Sequence, residues 1–205
     1  MPKMVGAILV GGRSQRLEGG DKTRLHVHGE RLIVRLADLL KPWCDECVLI
    51  GREEQLPEFE ALGVGEGLAD LYPGCGPFGG LYTVLEDRDE DVFLVACDMP
   101  YLTPSLLERL VLAYRMPPIS FGALFRVPDA GQYRLEPLCS IWSRQCRRPA
   151  NVALEAGERS VSAFARSMNL RAVDLNSEEA GLLASVNFRR DLEGLTGSIE
   201  LPEPA

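Results

Sequence analysis

The sequence predicts a single-domain α/β three-layer sandwich, in which a mostly parallel sheet with a small antiparallel part lies between two layers of helices. Short apolar runs alternate with amphipathic segments of helical length through the first half of the chain. The second half carries two apolar runs joined by a turn, which is typical of an antiparallel pair. The 205 residues contain no internal repeat and no clear linker. We therefore expect one domain over residues 1–196 and a flexible tail over residues 197–205.

The first half is predicted to alternate strands and helices. In chain order, we expect a strand at 5–10, a helix at 32–40, a strand at 47–50, a short strand at 62–64, a helix at 78–85, a strand at 92–96 and a helix at 104–114. The continuous apolar run at 92–96 is typical of a parallel strand that is buried on both faces. Thr103 is the predicted N-cap of the last of these helices, and Pro104 follows at a favourable first position.

The second half is predicted to begin with a β-hairpin. We expect strands at 119–125 and 133–141 around a turn at 128–131, then helices at 151–156 and 160–168, a strand at 171–175 and a closing helix at 188–195. Together with the first half, this gives the small antiparallel part of the predicted sheet.

The overall charge excludes some classes of partner. Twenty-two basic and 30 acidic residues give a formal net charge of −8, which argues against bulk binding to nucleic acid. The apolar runs are shorter than the ~20 residues that a membrane-spanning helix needs, so we expect no membrane partner. The first apolar run is also too short for a signal peptide and lacks a cleavage site, which favours the cytoplasm.

The cysteines and histidines give weak metal signals. Six cysteines are present, and Cys44 and Cys47 have the C-x-x-C spacing. One such pair without further ligands favours a structural role over a metal or redox role, and we expect thiols rather than disulfides in the cytoplasm. A short strand around residue 27 would place His26 and His28 on one face, but the sequence offers them no further ligands.

A basic, glycine-rich loop follows the first strand directly and spans residues 11–22. Glycines let the backbone approach a ligand closely, and successive N–H groups in such a loop form an anion-binding concavity. Arg13, Arg16 and Lys22 add positive charge to a chain that is acidic overall. The loop matches neither the Walker A motif nor the G-x-G-x-x-G fingerprint, because an aspartate precedes Lys22 and the glycine spacing differs. The pattern indicates a triphosphate-binding loop and disfavours a dehydrogenase.

Asp98 stands at the carboxyl end of the predicted strand 92–96. In open α/β sheets this edge forms the ligand-binding crevice. Magnesium prefers oxygen ligands and often binds through one or two carboxylates together with substrate phosphates. Asp98 suits that role, although an aspartate at this position can equally form a turn before Pro100.

A second loop rich in glycine and proline spans residues 70–80. It leads into the predicted helix at 78–85, and Asp70 opens it. Asp70 could accept hydrogen bonds from a guanine edge or from ribose hydroxyls. The alternative is a plain turn, and the residues alone leave both interpretations open.

Together these segments resemble the molybdenum cofactor guanylyltransferases, which join GMP to molybdopterin. The family pattern Leu-Ala-Gly-Gly-x-Ser-x-Arg, then Asp-Lys-x-x-Leu, appears here as Leu-Val-Gly-Gly-Arg-Ser-Gln-Arg, then Asp-Lys-Thr-Arg-Leu. The family's Gly-Pro-Leu-x-Gly and Cys-Asp-Met-Pro segments appear as Gly-Pro-Phe-Gly-Gly and Cys-Asp-Met-Pro. The matching segments are residues 9–17, 21–25, 76–80, 97–100, 136–138 and 156–160.

This resemblance implies a Rossmann-like fold of the nucleotide-diphospho-sugar transferase type. It implies Mg²⁺-dependent transfer of GMP from GTP to molybdopterin with release of pyrophosphate, by a monomer that contacts cofactor-insertion proteins transiently. The residues that would bind the nucleotide are Leu9, Val10, Gly11, Gly12, Lys22, Asp70 and Asp98. Of the catalytic residues implied, Asp98 would bind Mg²⁺, while Lys22 and Arg16 would neutralise charge on the triphosphate.

Two alternatives remain at this level. A cytidylyltransferase would run the same chemistry with CTP, but that branch typically has alanine where Gly11 stands. A catalytically impaired nucleotide-binding regulatory module is the other alternative. It is suggested by the closing segment, because Ser185, Asn187 and Phe188 depart from the family's pterin-side motif. The presence of Lys22 and Asp98 favours an enzyme.

Overall fold

Ten strands and seven α-helices make up the computed structural model over the residues that it describes, 4–10, 25–186 and 199–200. The strands are β1 (Met4–Leu9), β2 (His26–Val27), β3 (Glu30–Arg31), β4 (Glu46–Gly51), β5 (Glu66–Ala69), β6 (Asp91–Ala96), β7 (Gly122–Asp129), β8 (Gln132–Trp142), β9 (Arg171–Asp174) and β10 (Ile199–Glu200). The helices are α1 (Leu32–Leu40), α2 (Leu56–Leu62), α3 (Gly76–Asp87), α4 (Pro104–Arg115), α5 (Arg147–Glu155), α6 (Val161–Ser167) and α7 (Ser177–Gly181). Short 3₁₀ turns precede α2 and α5.

Seven of these strands form the central sheet, in the order β5-β4-β1-β6-β8-β7-β9. Strand β8 is antiparallel to both of its neighbours, β6 and β7. The other four pairings in this sheet are parallel. The predicted architecture, a mostly parallel sheet with a small antiparallel part, is therefore confirmed.

The two faces of the sheet carry separate apolar clusters. On one face, Ile8 and Val10 of the first strand segment pack with the apolar sides of α1 and α4. On the other face, Val5 and Ala7 pack with α3, α5 and α6. Successive side chains of a strand point to opposite faces, so one apolar run supplies both clusters. All residues of β6 are buried, as expected for a strand covered on both sides.

The helix starts follow the predicted capping signals. The amide of Leu106 donates to the Thr103 hydroxyl at 3.3 Å, and Pro104 follows the cap as predicted. Ser160 caps α6 in the same way, through the amide of Ala163 at 3.2 Å. Helix α1 has the predicted bounds.

Three predictions need correction. Residues 62–64 are not a strand, because α2 runs to Leu62 and Gly63 ends it with φ +65°. The strand of this region is β5, two residues further along. Helices α2 and α7, which have seven and five residues, were not predicted. His28 lies in a turn with φ +54°, so His26 and His28 do not share a strand face. The predicted strand at 119–125 begins only at Gly122, since Ile119 is 88% exposed.

Two predictions concern the end of the chain. The predicted helix at 188–195 lies outside the described residues. Within the predicted tail, Ile199–Glu200 pairs with β2 in a small three-stranded sheet with β3. No helix among the described residues is both long enough and apolar enough to cross a bilayer.

Candidate functional site

The carboxyl ends of four parallel strands meet at one edge of the sheet. Main-chain hydrogen bonds continue the ladders past the strand ends: Asp70 N donates to Gly51 O at 2.9 Å, and Val10 N donates to Ile50 O at 2.9 Å. Cys97 N donates to Leu9 O at 3.1 Å. The loops that begin at Val10, Asp70 and Cys97 therefore leave from the same edge.

This edge includes the point at which the strand order reverses. Strand β1 has β4 on one side and β6 on the other, so the chain moves outward from β1 in one direction and then returns to its other side. Loops diverge at such a point and leave a crevice in which open α/β sheets bind ligands. Of the residues predicted from the sequence, Leu9, Val10, Asp70 and Asp98 lie at or directly beside this switch point.

The side chains of Leu9 and Val10 pack on opposite faces of the sheet. Val10 is 3% exposed and packs in the cluster under α1 and α4. The Leu9 side chain lies on the opposite face, against Gly80 of α3. The other predicted residues of this loop, Gly11, Gly12, Arg16 and Lys22, lie outside the described residues.

Asp98 is held in place by buried neighbours. Cys97 and Met99 are 5% and 1% exposed, while Asp98 itself is half-buried. The Asp98 carbonyl accepts a hydrogen bond from the amide of Val186 at 2.9 Å. The last residue of the described segment 25–186 therefore contacts the backbone that presents this carboxylate.

The donor set around Asp98 fits one mode of magnesium binding. Within residues 4–10, 25–186 and 199–200, no group of three or more His, Cys, Asp or Glu side chains could hold a metal ion by itself. Magnesium does not need such a cage, because it retains waters and takes substrate phosphates as ligands. One carboxylate at a ligand-binding edge suits an ion that arrives with a nucleotide.

Asp70 forms a turn at the start of its loop. Its Oδ1 atom accepts a hydrogen bond from Tyr72 N at 2.9 Å and lies 3.3 Å from the Thr83 hydroxyl. Both contacts use the same carboxylate oxygen. The turn interpretation is therefore correct for Oδ1, and a nucleotide contact through Oδ2 stays a prediction.

Two glycines bring α3 against this loop. A Cβ on Gly79 would lie 2.8 Å from the carbonyl oxygen of Tyr72, and a Cβ on Gly80 would lie 2.6 Å from Leu9 Cδ2. Both separations are too short for a real side chain, so the Gly-Pro-Phe-Gly-Gly segment allows the first turns of α3 to approach the site. Sequence reasoning identified this segment but missed the reason for its glycines.

Glu136 is a further acidic residue at this edge that had no predicted role. Cys139 of β8 pairs with Val95, and β8 runs antiparallel to β6, so Glu136 lies beyond the carboxyl end of β6. The residue is buried and forms an ion pair with Arg134 at 2.6 Å. Its place in the matching segment 136–138 was the sequence signal that could have identified it.

The cysteines are not arranged for metal or redox chemistry. All six lie among the described residues, and none forms a disulfide. Burial raises the pKa of the Cys44 and Cys47 thiols to about 12, which keeps both protonated at neutral pH. The structural role predicted for this pair is therefore favoured.

A separate cavity of about 500 Å³ lies between α3 and α5. Arg144 on its wall donates its amide to Asp91 at 2.9 Å, which places the cavity near the amino end of β6. Glu86 and Arg147 form an ion pair in its wall at 2.8 Å. None of the described site residues lines this cavity, so it is distinct from the switch-point crevice.

Comparison with known proteins gives a consistent family. The model of the MobA-like NTP transferase domain matches residues 6–174. The chain is 31% identical over 194 residues to a "Probable molybdenum cofactor guanylyltransferase" of Thermococcus gammatolerans, covering 92% of this chain and 97% of the relative. It is 26% identical over 207 residues to the "Molybdenum cofactor guanylyltransferase" of Desulfosudis oleivorans, covering 98% of each.

Solved structures share the fold. The crystal structure of "Molybdopterin-guanine dinucleotide biosynthesis protein A" from Archaeoglobus fulgidus superposes with a TM-score of 0.73 at 22% identity, covering 93% of this chain and 95% of that one. A structure of "CMP:2-keto-3-deoxy-manno-octonic acid synthetase complexed with CTP" gives a TM-score of 0.71 at 13% identity, with the same coverage. Both comparisons support the nucleotide-diphospho-sugar transferase type of fold implied by the sequence.

Proposed function

Because the chain belongs to the MobA-like NTP transferase domain family, we propose that it transfers GMP from GTP to molybdopterin and releases pyrophosphate. The relatives named above carry this activity in their names and match nearly the full length of the chain. The structural observation that carries the proposal is the meeting of Val10, Asp70 and the Cys97–Asp98 segment at one edge of the sheet.

The reaction is a displacement at phosphorus. An oxygen of the terminal phosphate of molybdopterin attacks the α-phosphorus of GTP and forms the new P–O bond. The bond from the α-phosphorus to the bridging oxygen breaks, and pyrophosphate leaves with that electron pair. No covalent enzyme intermediate is needed, so catalysis rests on positioning and on neutralising charge.

Asp98 is the residue proposed to bind magnesium. Bound there, the ion would supply positive charge to the phosphates as charge develops on the leaving group. The buried residues beside Asp98 hold its backbone fixed, so little reorganisation is needed when the nucleotide arrives.

The loop after β1 is proposed to bind the triphosphate. The amide of Val10 bonds to Ile50, which fixes the point from which this loop leaves the sheet. Gly11 and Gly12 would bring main-chain N–H groups near the nucleotide, and Lys22 and Arg16 would add positive charge. Leu9 and Val10 would line the base and ribose side, where Asp70 would offer Oδ2 as an acceptor.

The substrate is tested by pyrophosphate release with molybdopterin and either GTP, CTP or ATP. We expect release with GTP and Mg²⁺, and little with CTP or ATP. Thermal stabilisation by the three nucleotides, with and without Mg²⁺, gives an independent measure of selectivity. Equal shifts for all three would contradict the guanine assignment, and release with CTP alone would favour the cytidylyl alternative.

Nucleotide binding without turnover would instead favour a regulatory module. The relatives carry guanylyltransferase names, so neither alternative is favoured. We also propose that the protein is a cytoplasmic monomer that contacts cofactor-insertion proteins transiently. Light scattering of the purified protein tests the oligomeric state.

A further inference from the structure

Thr83 lies in the middle of α3, behind the loop that begins at Asp70. Its side chain is fully buried. Thr83 lies outside the segments that match the family pattern, and it takes no part in the proposed displacement at phosphorus. Its hydroxyl nevertheless contacts three groups on two different segments of the chain.

One of these contacts is local to the helix. The Thr83 hydroxyl donates to the carbonyl oxygen of Gly79 at 2.9 Å, one turn earlier in α3. Threonines within helices commonly make this bond, and it would satisfy the buried hydroxyl without any further partner. On this contact alone, Thr83 would be a structural residue.

The other two contacts reach the Asp70 loop. The hydroxyl oxygen accepts a hydrogen bond from Leu71 N at 3.0 Å and lies 3.3 Å from Asp70 Oδ1. A hydroxyl has one proton and two acceptor lone pairs. At any moment the Thr83 hydroxyl therefore donates either to Gly79 O or to Asp70 Oδ1, and in both cases it accepts a hydrogen bond from Leu71 N. Thr83 therefore holds the main chain of this loop through Leu71 N, and it also holds the Asp70 side chain when the proton is directed to Oδ1.

The carboxylate of Asp70 is thereby oriented. Tyr72 N and the Thr83 hydroxyl can both donate to Oδ1, at 2.9 and 3.3 Å. Among the described residues, no further hydrogen bond to the carboxylate is made, so Oδ2 is the oxygen left for a ligand. An aspartate fixed at one oxygen presents the other in a defined direction, which reduces the entropy lost on binding.

We propose that Thr83 is a positioning residue for nucleotide binding, which acts by holding Asp70 so that Oδ2 meets the base or ribose of the nucleotide. The proposal rests on the guanylyltransferase function proposed above. It predicts that loss of the hydroxyl weakens nucleotide binding through Asp70, and that binding of the pterin substrate changes little.

The test compares Thr83→Val, which keeps the shape and removes the hydroxyl, with Thr83→Ser, which keeps the hydroxyl. We expect Thr83→Val to raise the KM for GTP about tenfold, the effect of losing one well-oriented hydrogen bond. The KM for molybdopterin and kcat should stay within about twofold, and Thr83→Ser should restore the KM for GTP.

Coupling to Asp70 is tested in the Asp70→Asn background. If Thr83 acts through the carboxylate, adding Thr83→Val to Asp70→Asn should raise the KM for GTP by less than about twofold. Independent, multiplying effects would overturn the proposal. An unchanged KM in the single variant Thr83→Val would overturn it as well.

Ser120→Ala is the matched control for loss of a buried hydroxyl. The Ser120 hydroxyl donates to the Gly122 carbonyl at 2.8 Å, just before β7. This position is away from the edge of the sheet at which the loops of the proposed site begin. This variant should lower the melting temperature and leave the KM for GTP unchanged.

If Thr83→Val does not fold, the GTP-dependent thermal shift of Thr83→Ala replaces the measurement of KM. A thermal shift equal to that of the wild-type protein would overturn the proposal. Absence of pyrophosphate release by the wild-type protein would instead count against the proposed function.

Discussion

The amide of Val186 donates a 2.9 Å hydrogen bond to the carbonyl oxygen of Asp98. The two residues lie 88 positions apart in the chain. The closing segment, whose pattern departs most from the resembling family, is therefore in direct contact with the residue proposed to bind magnesium.

Replacing Asp98 by asparagine removes the charge and keeps the shape. We expect kcat to fall roughly 10²–10³-fold, as for the loss of one preorganised electrostatic contact, with an unchanged fold by circular dichroism. The measurement is pyrophosphate release over a range of Mg²⁺ concentrations. Asp129→Asn, at the exposed end of β7, is the control and should keep wild-type activity. Wild-type turnover by the Asp98 variant would remove this residue from the site.

Lys22→Ala should weaken the use of the nucleotide. Loss of a cation beside the triphosphate should raise the KM for GTP at least about tenfold, because a charge-assisted contact contributes about 1.5–3 kcal/mol. The difference from wild type should diminish at high salt, because salt screens the attraction between the Lys22 ammonium group and the triphosphate. Steady-state kinetics at two ionic strengths provide the measurement, and unchanged GTP kinetics would contradict the role given to Lys22.

Val186→Pro should separate the hydrogen bond to Asp98 from the packing of the side chain. Proline lacks the N–H that Asp98 accepts, so we expect kcat to fall about tenfold, the effect of roughly 1.4 kcal/mol. Val186→Ala keeps the N–H and loses only part of a buried side chain. It should lower the melting temperature and keep kcat. If both variants retain kcat, the contact has no catalytic consequence.

Gly79→Ala should destabilise the loop that begins at Asp70. The new Cβ would meet the main-chain oxygen of Tyr72 at 2.8 Å, and no side-chain rotation can relieve that contact. We expect the free energy of unfolding to fall by about 1–3 kcal/mol in urea denaturation. Gly181→Ala is the matched control, because a Cβ there would meet nothing within 4 Å. That variant should be as stable as wild type or slightly more stable.

Tyr101→Phe should stabilise the protein. The Tyr101 hydroxyl is buried and has no hydrogen-bond partner among the described residues, so its removal should add about 1 kcal/mol to the free energy of unfolding. Tyr114→Phe is the contrasting variant, because that hydroxyl donates to Asp91 Oδ2 at 2.7 Å. It should lose stability. Chemical denaturation of both variants measures the difference, and equal effects would contradict this account.

The sequence was most informative where a short-range pattern determines the structure. The apolar run of β6 predicted a strand buried on both faces, and Asp98 at its end lies at the predicted edge. The cap at Thr103 depends on four consecutive residues and was also predicted. Local chemistry is sufficient for such features, because the groups that interact are neighbours in the chain.

Long-range packing explains what the sequence could not predict. The contact between Thr83 and Asp70 depends on how closely α3 approaches its preceding loop, which in turn depends on Gly79. The position of Glu136 at the site depends on β8 pairing with β6. Helix α2 has only seven residues, which is shorter than the window over which helical periodicity can be distinguished.

The reversed strand β8 also constrains how the sheet assembles. It lies between β6 and β7, so β7 has no contact with the parallel core of the sheet until β8 is in place. The two strands are joined by a short turn and pair along most of their length. Such local contacts form early, whereas pairing between distant segments must first overcome the entropy of closing a long loop. We therefore expect the β7–β8 hairpin to form as a unit and to join β6 through β8, with β9 added last at the outer side of β7.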